Sequence, residues 1–393
     1  MSETRKDAER RDGLDSADRG YRNGEPADIA AGQKTPGKKK GRGWLAALCV
    51  VVLIAAGVTI YWELTTKPPE TVEAELPGKE ENPVRVERYY TLLVVGDDQE
   101  GGNTDTIMLL RFDTAEMKVN VLSIPRDTLI NSSLGNKKIN AVYHNLDGID
   151  SLLDAVRELT GYRPNNYMVV NTSVFTDVVD AMDGVDFYVP FDMDYDDYSN
   201  FDENGVARYV FTIHVTEGQQ TLSGYDALGV FRWRQNNNSS GHVYLNPDIE
   251  RIDMQHELLM AIAEKAMNTK NVLTLTDIAK AVLNQCQTDL SIGNIQWYIE
   301  QFLKMSMDSL EFFTMPTSGA WIKKAAYVTI NVDAWIEMLN ANFKITDREL
   351  TREDCGIVYV ASPKDLVDGQ LYVDPDELAS TNGAAVDQYF VGP

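Results

Sequence analysis

Three observations predict an α/β protein with a mixed β-sheet flanked by helices and preceded by one transmembrane helix. Short apolar runs bounded by Gly and Asp, such as "YTLLVVG" (90–96) and "TIMLLRF" (106–112), read as buried strands. They alternate with stretches in which apolar residues recur at helical spacing, as in "DGIDSLLDAVRELTG". Ahead of both stands "WLAALCVVVLIAAGVTIYW", Trp44 to Trp62, nineteen residues without a charge and about the length needed to cross a bilayer.

The apolar run is too long, and too far from the start, for a cleaved signal peptide, so an uncleaved anchor is expected. Lys34, Lys38, Lys39, Lys40 and Arg42 precede it with no acid among them, whereas acids outnumber bases after it. The positive-inside rule then places the N-terminus in the cytoplasm and the remainder outside the cell membrane, as a single-pass protein. Residues 1–43 carry few large apolar side chains and read as a disordered tail. Residues 63–87, rich in Pro and Glu, read as an extracytoplasmic stalk. A domain from 88 to 345 follows, with 346–393 as a C-terminal extension.

Within that domain "KVNVLSI" (118–124) follows a short polar turn and predicts a hairpin with 106–112. Ile149, Leu152, Leu153, Val156 and Leu159 predict a helix ended by Gly161. "YMVVN" is a strand, "SVFTDVVDAM" an amphipathic helix and "VDFYVP" a strand. "NPDIERIDMQHELLMAIAEKAM" is a long helix, with Asn246 as cap and Pro247 in its first turn. Further helices are expected at 273–285 and 293–307. The hairpin interrupts the strand–helix alternation, which makes the sheet mixed.

The chain of 393 residues is 44% hydrophobic, ample for a core, and 36 basic against 60 acidic residues give a net charge of −24. Such acidity argues against nucleic acid as a partner. Three cysteines give neither zinc spacing nor a disulfide framework; Cys286 and Cys355 either pair or stay free.

Against this acidity, three stretches gather groups suited to an anion. In "GDDQEGGNTDT", Asp98 and Asp105 stand at the two ends of one Gly-rich loop, as a Mg²⁺ site or as ordinary loop residues. In "SIPRDT", Pro125 breaks a strand and sets Arg126 at its end, followed by Lys137 and Lys138. "ALGVFRWR" read as extended places Arg232 and Arg234 on one face. Asp248, Arg251 and Gln255 form one stripe beginning in a helix's first turn, where anions are favoured. Converging guanidinium forks suit a diphosphate; an ion-pair network with neighbouring acids is the other reading.

"GDDQEGGNTDT", "SIPRDT", "KIN", "GVDFYVP", "EGQQTLSGYDALGVFRWR" and "DIERIDMQ", in that order, resemble the LytR-CpsA-Psr family, strongly over 88–265 and loosely to 345. The resemblance implies a membrane-anchored phosphotransferase of mainly Gram-positive bacteria. Such an enzyme moves an anionic glycopolymer, teichoic acid or another, from a polyprenyl-pyrophosphate carrier to peptidoglycan. By matching position it implies that Asp98 and Asp105 hold Mg²⁺ (or Mn²⁺). Arg126, Lys138, Arg232, Arg234, Arg251 and Gln255 would then line the phosphate pocket. Arg126 and Asp248 are the implied catalytic residues; Asp248 acts either as base or as a partner orienting Arg251. The lipid tail is expected among apolar side chains, with 149–182 as the candidate stretch.

Three positions depart from the family pattern: Asn103, Glu100 and Met254 each stand where an arginine is usual. Two alternatives follow from the same pocket, a polyprenyl-pyrophosphate hydrolase and a non-catalytic membrane-tethered lipid-binding or signalling module. The acidic stretch "FDMDYDDYSNFDE" has EF-hand-like spacing but Asp197 at the sixth position and strand-like flanks, so a solvated hairpin is expected.

Overall fold

The computed structural model describes residues 65–71, 83–97, 103–196, 200–201, 207–208, 211–237, 242, 244, 247–268, 272–362 and 371–390. All of these belong to one compact unit, Thr59–Pro393. The apolar run 44–62 lies outside the described residues. Among those described, no helix is long and apolar enough to cross a membrane.

Strand β1 (Tyr89–Asp97) alternates strictly between buried and half-buried positions. β2 (Thr104–Asp113) runs back beside it and β3 (Lys118–Ser123) completes an antiparallel meander. A single turn, α1 (Val142–Asn145), leads to α2 (Ile149–Thr160). Gly161 ends α2 in the left-handed region at φ 77°, where glycine carries no Cβ penalty. β4 (Asn166–Asn171) then pairs parallel with β1. The side chain of Asn171 caps α3 (Thr172–Asp180) by accepting from the Val174 amide.

β5 (Val185–Val189), β6 (Met193–Asp196), the two-residue ladder of β7 (Asn200–Phe201) with β8 (Ala207–Arg208), β9 (Thr212–Val215) and β10 (Gly218–Leu222) form small antiparallel pairs. Of the acidic stretch, β6 pairs antiparallel with β9 further along the chain, and His214 contacts Asp194 at 2.7 Å and Asp196 at 3.2 Å. α4 (Gly224–Arg232), α5 (Pro247–Asn268), α6 (Val272–Leu283), β11 (Gln287–Thr288) and α7 (Ile292–Phe302) follow. β12 (Leu310–Thr314) pairs parallel with β3, so the central sheet runs β11-β4-β1-β2-β3-β12 with mixed directions. β13 (Thr317–Ile322), β14 (Ala325–Ile330), α8 (Val332–Met338), β15 (Val358–Val360), β16 (Leu371–Val373) and β17 (Leu378–Ser380) complete the chain.

Period-two alternation gives the central sheet two apolar faces. Leu93, Val95, Ile107, Leu109 and Leu122 join Leu152, Val156 and Leu159 of α2 and Trp335 of α8 in the main core. The segment after 345 contributes Leu350, Cys355 and Ile357 to that core. Cys286 and Cys355 are free thiols. On the opposite face Tyr90, Leu92, Val94, Met108 and Leu110 look toward α5 and α7 across an open space.

A second cluster, with Val185, Phe187, Ile213, Val230, Trp233 and Leu258, fixes α4 and α5 beside the small strand pairs. Here α3 and α4 approach so closely that a Cβ on Gly224 would lie 2.2 Å from the Thr176 carbonyl oxygen. Gly224→Ala is therefore expected to cost about 1–3 kcal/mol. Urea denaturation measures it, and an unchanged midpoint would show that the helices separate without penalty.

Candidate active site

Two adjoining pockets lie where β2 begins, β3 ends and α4 meets α5. The larger, about 550 Å³, is lined by Asp105, Thr106, Arg232, Arg234, Arg251 and Gln255, with Tyr195, Phe211 and Trp233 among its apolar walls. The smaller, lined by Arg126, Asp127, Ser123 and Val328, shares Asp105, Thr106, Arg251 and Gln255 with it. A chain of net charge −24 thus gathers four arginines around one hollow.

The local sequence explains each position. β3 stops before Pro125, which has no N–H for the ladder. A turn follows, closed by the Thr128 amide and hydroxyl, both donating to the Pro125 carbonyl at 3.0 and 2.6 Å. Residues 127–130 are then held between two neighbours. The Val328 amide donates to the Asp127 carbonyl, and the Ile139 amide donates to the Thr128 carbonyl. Arg126, fixed at this corner, donates from Nη1 to Asp105 Oδ1 at 2.8 Å. Asp127 lies 3.2 Å from Lys138 Nζ and 3.9 Å from Arg126 Nε, linking the two basic residues. Sequence reasoning missed Asp127, although it sits inside "SIPRDT" beside Arg126.

Lys138 lines neither pocket and reaches the site through Asp127. Its neighbour Lys137 is fully buried, donating to the Ser132 carbonyl at 2.5 Å and pairing with Asp387 at 3.5 Å. Burial lowers its ammonium from the usual lysine range, and Asp387 opposes that shift.

The extended reading of 227–234 is corrected by the structure. Gly224–Arg232 is helical, with the Ser223 hydroxyl accepting from the Asp226 amide as its cap. The helix ends at Arg232, and Trp233 turns into extended backbone. Both arginines still line the same pocket, and the Arg232 guanidinium sits 4.9 Å over the Phe211 ring. On α5, Arg251 and Gln255 share one face and are each only 6% exposed. Gln255 donates to the Phe231 carbonyl at 3.0 Å, tying α5 to α4. Met254 points into the second apolar cluster, so a methionine at that position takes no charge out of the pocket lining. Asp98, Glu100 and the side chain of Asp248 lie outside the described residues.

His256, which the sequence sets aside as a metal ligand for lack of suitable spacing, follows Gln255 on α5. Its Nε2 is 2.8 Å from Ser123 Oγ and its ring lies 4.8 Å from Phe312. Burial pushes its imidazole down from 6.5 to about 4. Between those values the unfolded chain binds a proton that the native state does not, so stability falls as pH drops through that window. His256→Gln is expected to flatten the fall in unfolding temperature between about pH 7 and pH 5. An unchanged slope in thermal melts would remove His256 as its source.

Next to the charged pockets, the open space behind the sheet is an apolar cavity of about 460 Å³. Leu92, Val94, Met108, Leu110, Val121, Leu259 and Phe302 are among its walls. Gln255 faces the charged pockets and Leu259, one helical turn on, faces the cavity. The apolar stretch 149–182 has a different role from the lipid site expected there. Ile149, Leu152, Val156 and Leu159 are sealed in the main core, and of that stretch Met168 alone lines the cavity.

The LytR_cpsA_psr family model matches residues 58–344. This chain belongs to the LytR-CpsA-Psr family. TagV of Bacillus subtilis, a polyisoprenyl-teichoic acid–peptidoglycan teichoic acid transferase, is 25% identical over 284 residues, covering 68% of each chain. TagU of the same organism, with the same named activity, is 24% identical over 303 residues, covering 74% of this chain and 91% of TagU. The crystal structure of protein gbs0355 from Streptococcus agalactiae superposes with a TM-score of 0.56 at 21% identity, over 68% of this chain and 90% of that one. That likeness shows that the LytR-CpsA-Psr protein described here shares its α/β fold.

Proposed function

We propose that this protein is a membrane-anchored phosphotransferase. It would take an anionic glycopolymer from a polyprenyl-pyrophosphate carrier and attach it to peptidoglycan through a phosphodiester. The observation that carries this reading is the adjacency of an arginine-lined pocket and an apolar cavity. One ligand with a diphosphate head and a hydrocarbon tail suits both. The family membership and the transferase names of TagV and TagU support the same chemistry.

In the proposed reaction a sugar hydroxyl of peptidoglycan attacks the phosphorus nearest the glycan. The P–O bond to the lipid-side phosphate breaks, polyprenyl monophosphate leaves with the electron pair, and the hydroxyl proton passes to a base. Asp248, in the first turn of α5, is the proposed base. Arg126, Arg251, Arg232 and Arg234 hold the diphosphate and neutralise charge gathering on the bridging oxygen.

Asp105 has the chemistry to supply part of a divalent-cation site. Asp105 faces both pockets and gives one oxygen to Arg126, and a carboxylate has about four lone-pair positions to share. Asp105 together with Asp98 would hold Mg²⁺ or Mn²⁺, which supplies further positive charge to the phosphate oxygens.

The test uses the full chain in detergent with a polyprenyl-pyrophosphate glycan and a peptidoglycan oligomer. Glycan-phosphate attached to the oligomer, with polyprenyl monophosphate released, is the expected result. Free phosphorylated glycan despite the acceptor would identify a hydrolase. Lipid binding with neither product would identify a tethered binding module.

A further inference from the structure

We propose that the outer face of β14, β13 and β16 is the track on which the acceptor lies, taking the pyranose rings of a glycan strand. This rests on the reading of peptidoglycan as acceptor. Register fixes which residues share the face. Gly319 pairs with Val328 and Trp321 with Ala326 across the antiparallel ladder, and Trp321 pairs with Tyr372 across the parallel one. Ala320, Ile322, Tyr327 and Val373 point the other way, into the third apolar cluster. Gly319, Trp321, Ala326, Val328 and Tyr372 therefore share the outer face.

One end of that face is the phosphate pocket itself, because Val328 lines it beside Arg126 and Asp127. Two residues along, about 7 Å, lies the rung Ala326–Trp321–Tyr372, with Trp321 one strand and Tyr372 two strands across from Ala326. The rings of Trp321 and Tyr372 lie within 26° of parallel with centroids 6.5 Å apart, and Tyr372 is 49% exposed. Aromatic faces carry negative potential and attract the C–H faces of sugar rings. Lys324, exposed at the turn joining β13 and β14, adds a positive charge suited to the carboxylates of peptide stems.

Gly319 is the most telling residue. Its backbone is not in the left-handed region, and a Cβ placed there would meet nothing within 4 Å. Neither conformation nor packing requires glycine, yet glycine inside a strand weakens it and often marks a close approach by a ligand. Together with the small, exposed Ala326, it leaves a bare strip between the pocket and the aromatic pair. A glycan strand lying there would present its hydroxyl to the diphosphate.

Binding of a soluble, uncrosslinked peptidoglycan oligomer to the full chain, followed by calorimetry, tests this directly. Gly319→Leu and Tyr372→Ala are expected to weaken binding by about tenfold or more, the loss of one good contact, and Tyr372→Phe to leave it unchanged. Gly319→Leu should not lower the unfolding temperature, because its side chain enters open space. In the transfer assay the same two variants should raise the acceptor KM, with kcat and donor KM unchanged. Donor KM rising instead would assign the face to the glycopolymer and overturn the proposal, as would equal binding by wild type and both variants, or none by wild type. If oligomer binding depends on the track but no transfer occurs, the reaction fails and the track stands. If transfer occurs with the acceptor KM unmoved, the track fails and the reaction stands.

Discussion

Arg251→Ala is expected to lower the transfer rate at saturating donor by about 100- to 1,000-fold, the loss seen when one preorganised charge-stabilising donor is removed. The expectation follows from its placement. Arg251 lines both pockets, is 6% exposed, and stands one turn before Gln255, whose bond to Phe231 holds α5 against α4. In the proposed reaction, a guanidinium so shielded from water would act on a developing phosphate charge with little dielectric screening. Arg251→Lys keeps the charge but loses the planar fork, so an intermediate loss is expected. Thermal melts separate this from unfolding. A rate within threefold of wild type in Arg251→Ala would show that charge does not develop at this pocket.

The second large effect is a coupling. Arg126→Ala and Asp105→Asn are each expected to cost about 100-fold or more in rate, while the double variant should be no worse than the poorer single one. The two side chains meet at 2.8 Å and border the same small pocket, so removing either disorders the other. Interacting neighbours of this kind show coupling energies of about 0.5–3 kcal/mol. Losses that simply multiply would show that Arg126 and Asp105 act independently.

Much of this arrangement was legible in the sequence because two local patterns carried it. Short apolar runs at 90–96 and 106–112, bounded by Gly and Asp, marked strands, and the three- and four-residue spacing of Ile149 to Leu159 marked a helix. The same spacing put Arg251 and Gln255 on one face. Where local pattern was ambiguous, tertiary contacts decided. "ALGVFRWR" looks extended because Val, Phe and Trp favour strands, yet the Ser223 cap and the packing of Val230 in the second cluster make it a helix to Arg232.

The position of the apolar cavity was not legible at all. A helix face sealed in a core and one facing an open cavity carry the same residues. Leu152 and Leu259 differ only in what the rest of the chain places opposite them. Asp127 was hidden for a different reason: its role is to join Arg126 and Lys138, and that link exists only once 127–130 is fixed against Val328 and Ile139.

The central claim is that one amphiphile occupies the arginine pocket and the apolar cavity together. Its most direct test is calorimetry of the full chain with three soluble probes: farnesyl pyrophosphate, farnesyl monophosphate and farnesol. The expected result is saturable binding of one farnesyl pyrophosphate per chain, tighter than the monophosphate and much tighter than the alcohol. That preference should vanish in Arg126→Ala and Arg251→Ala. Equal affinity for all three probes, or a diphosphate preference untouched by both substitutions, would contradict the claim.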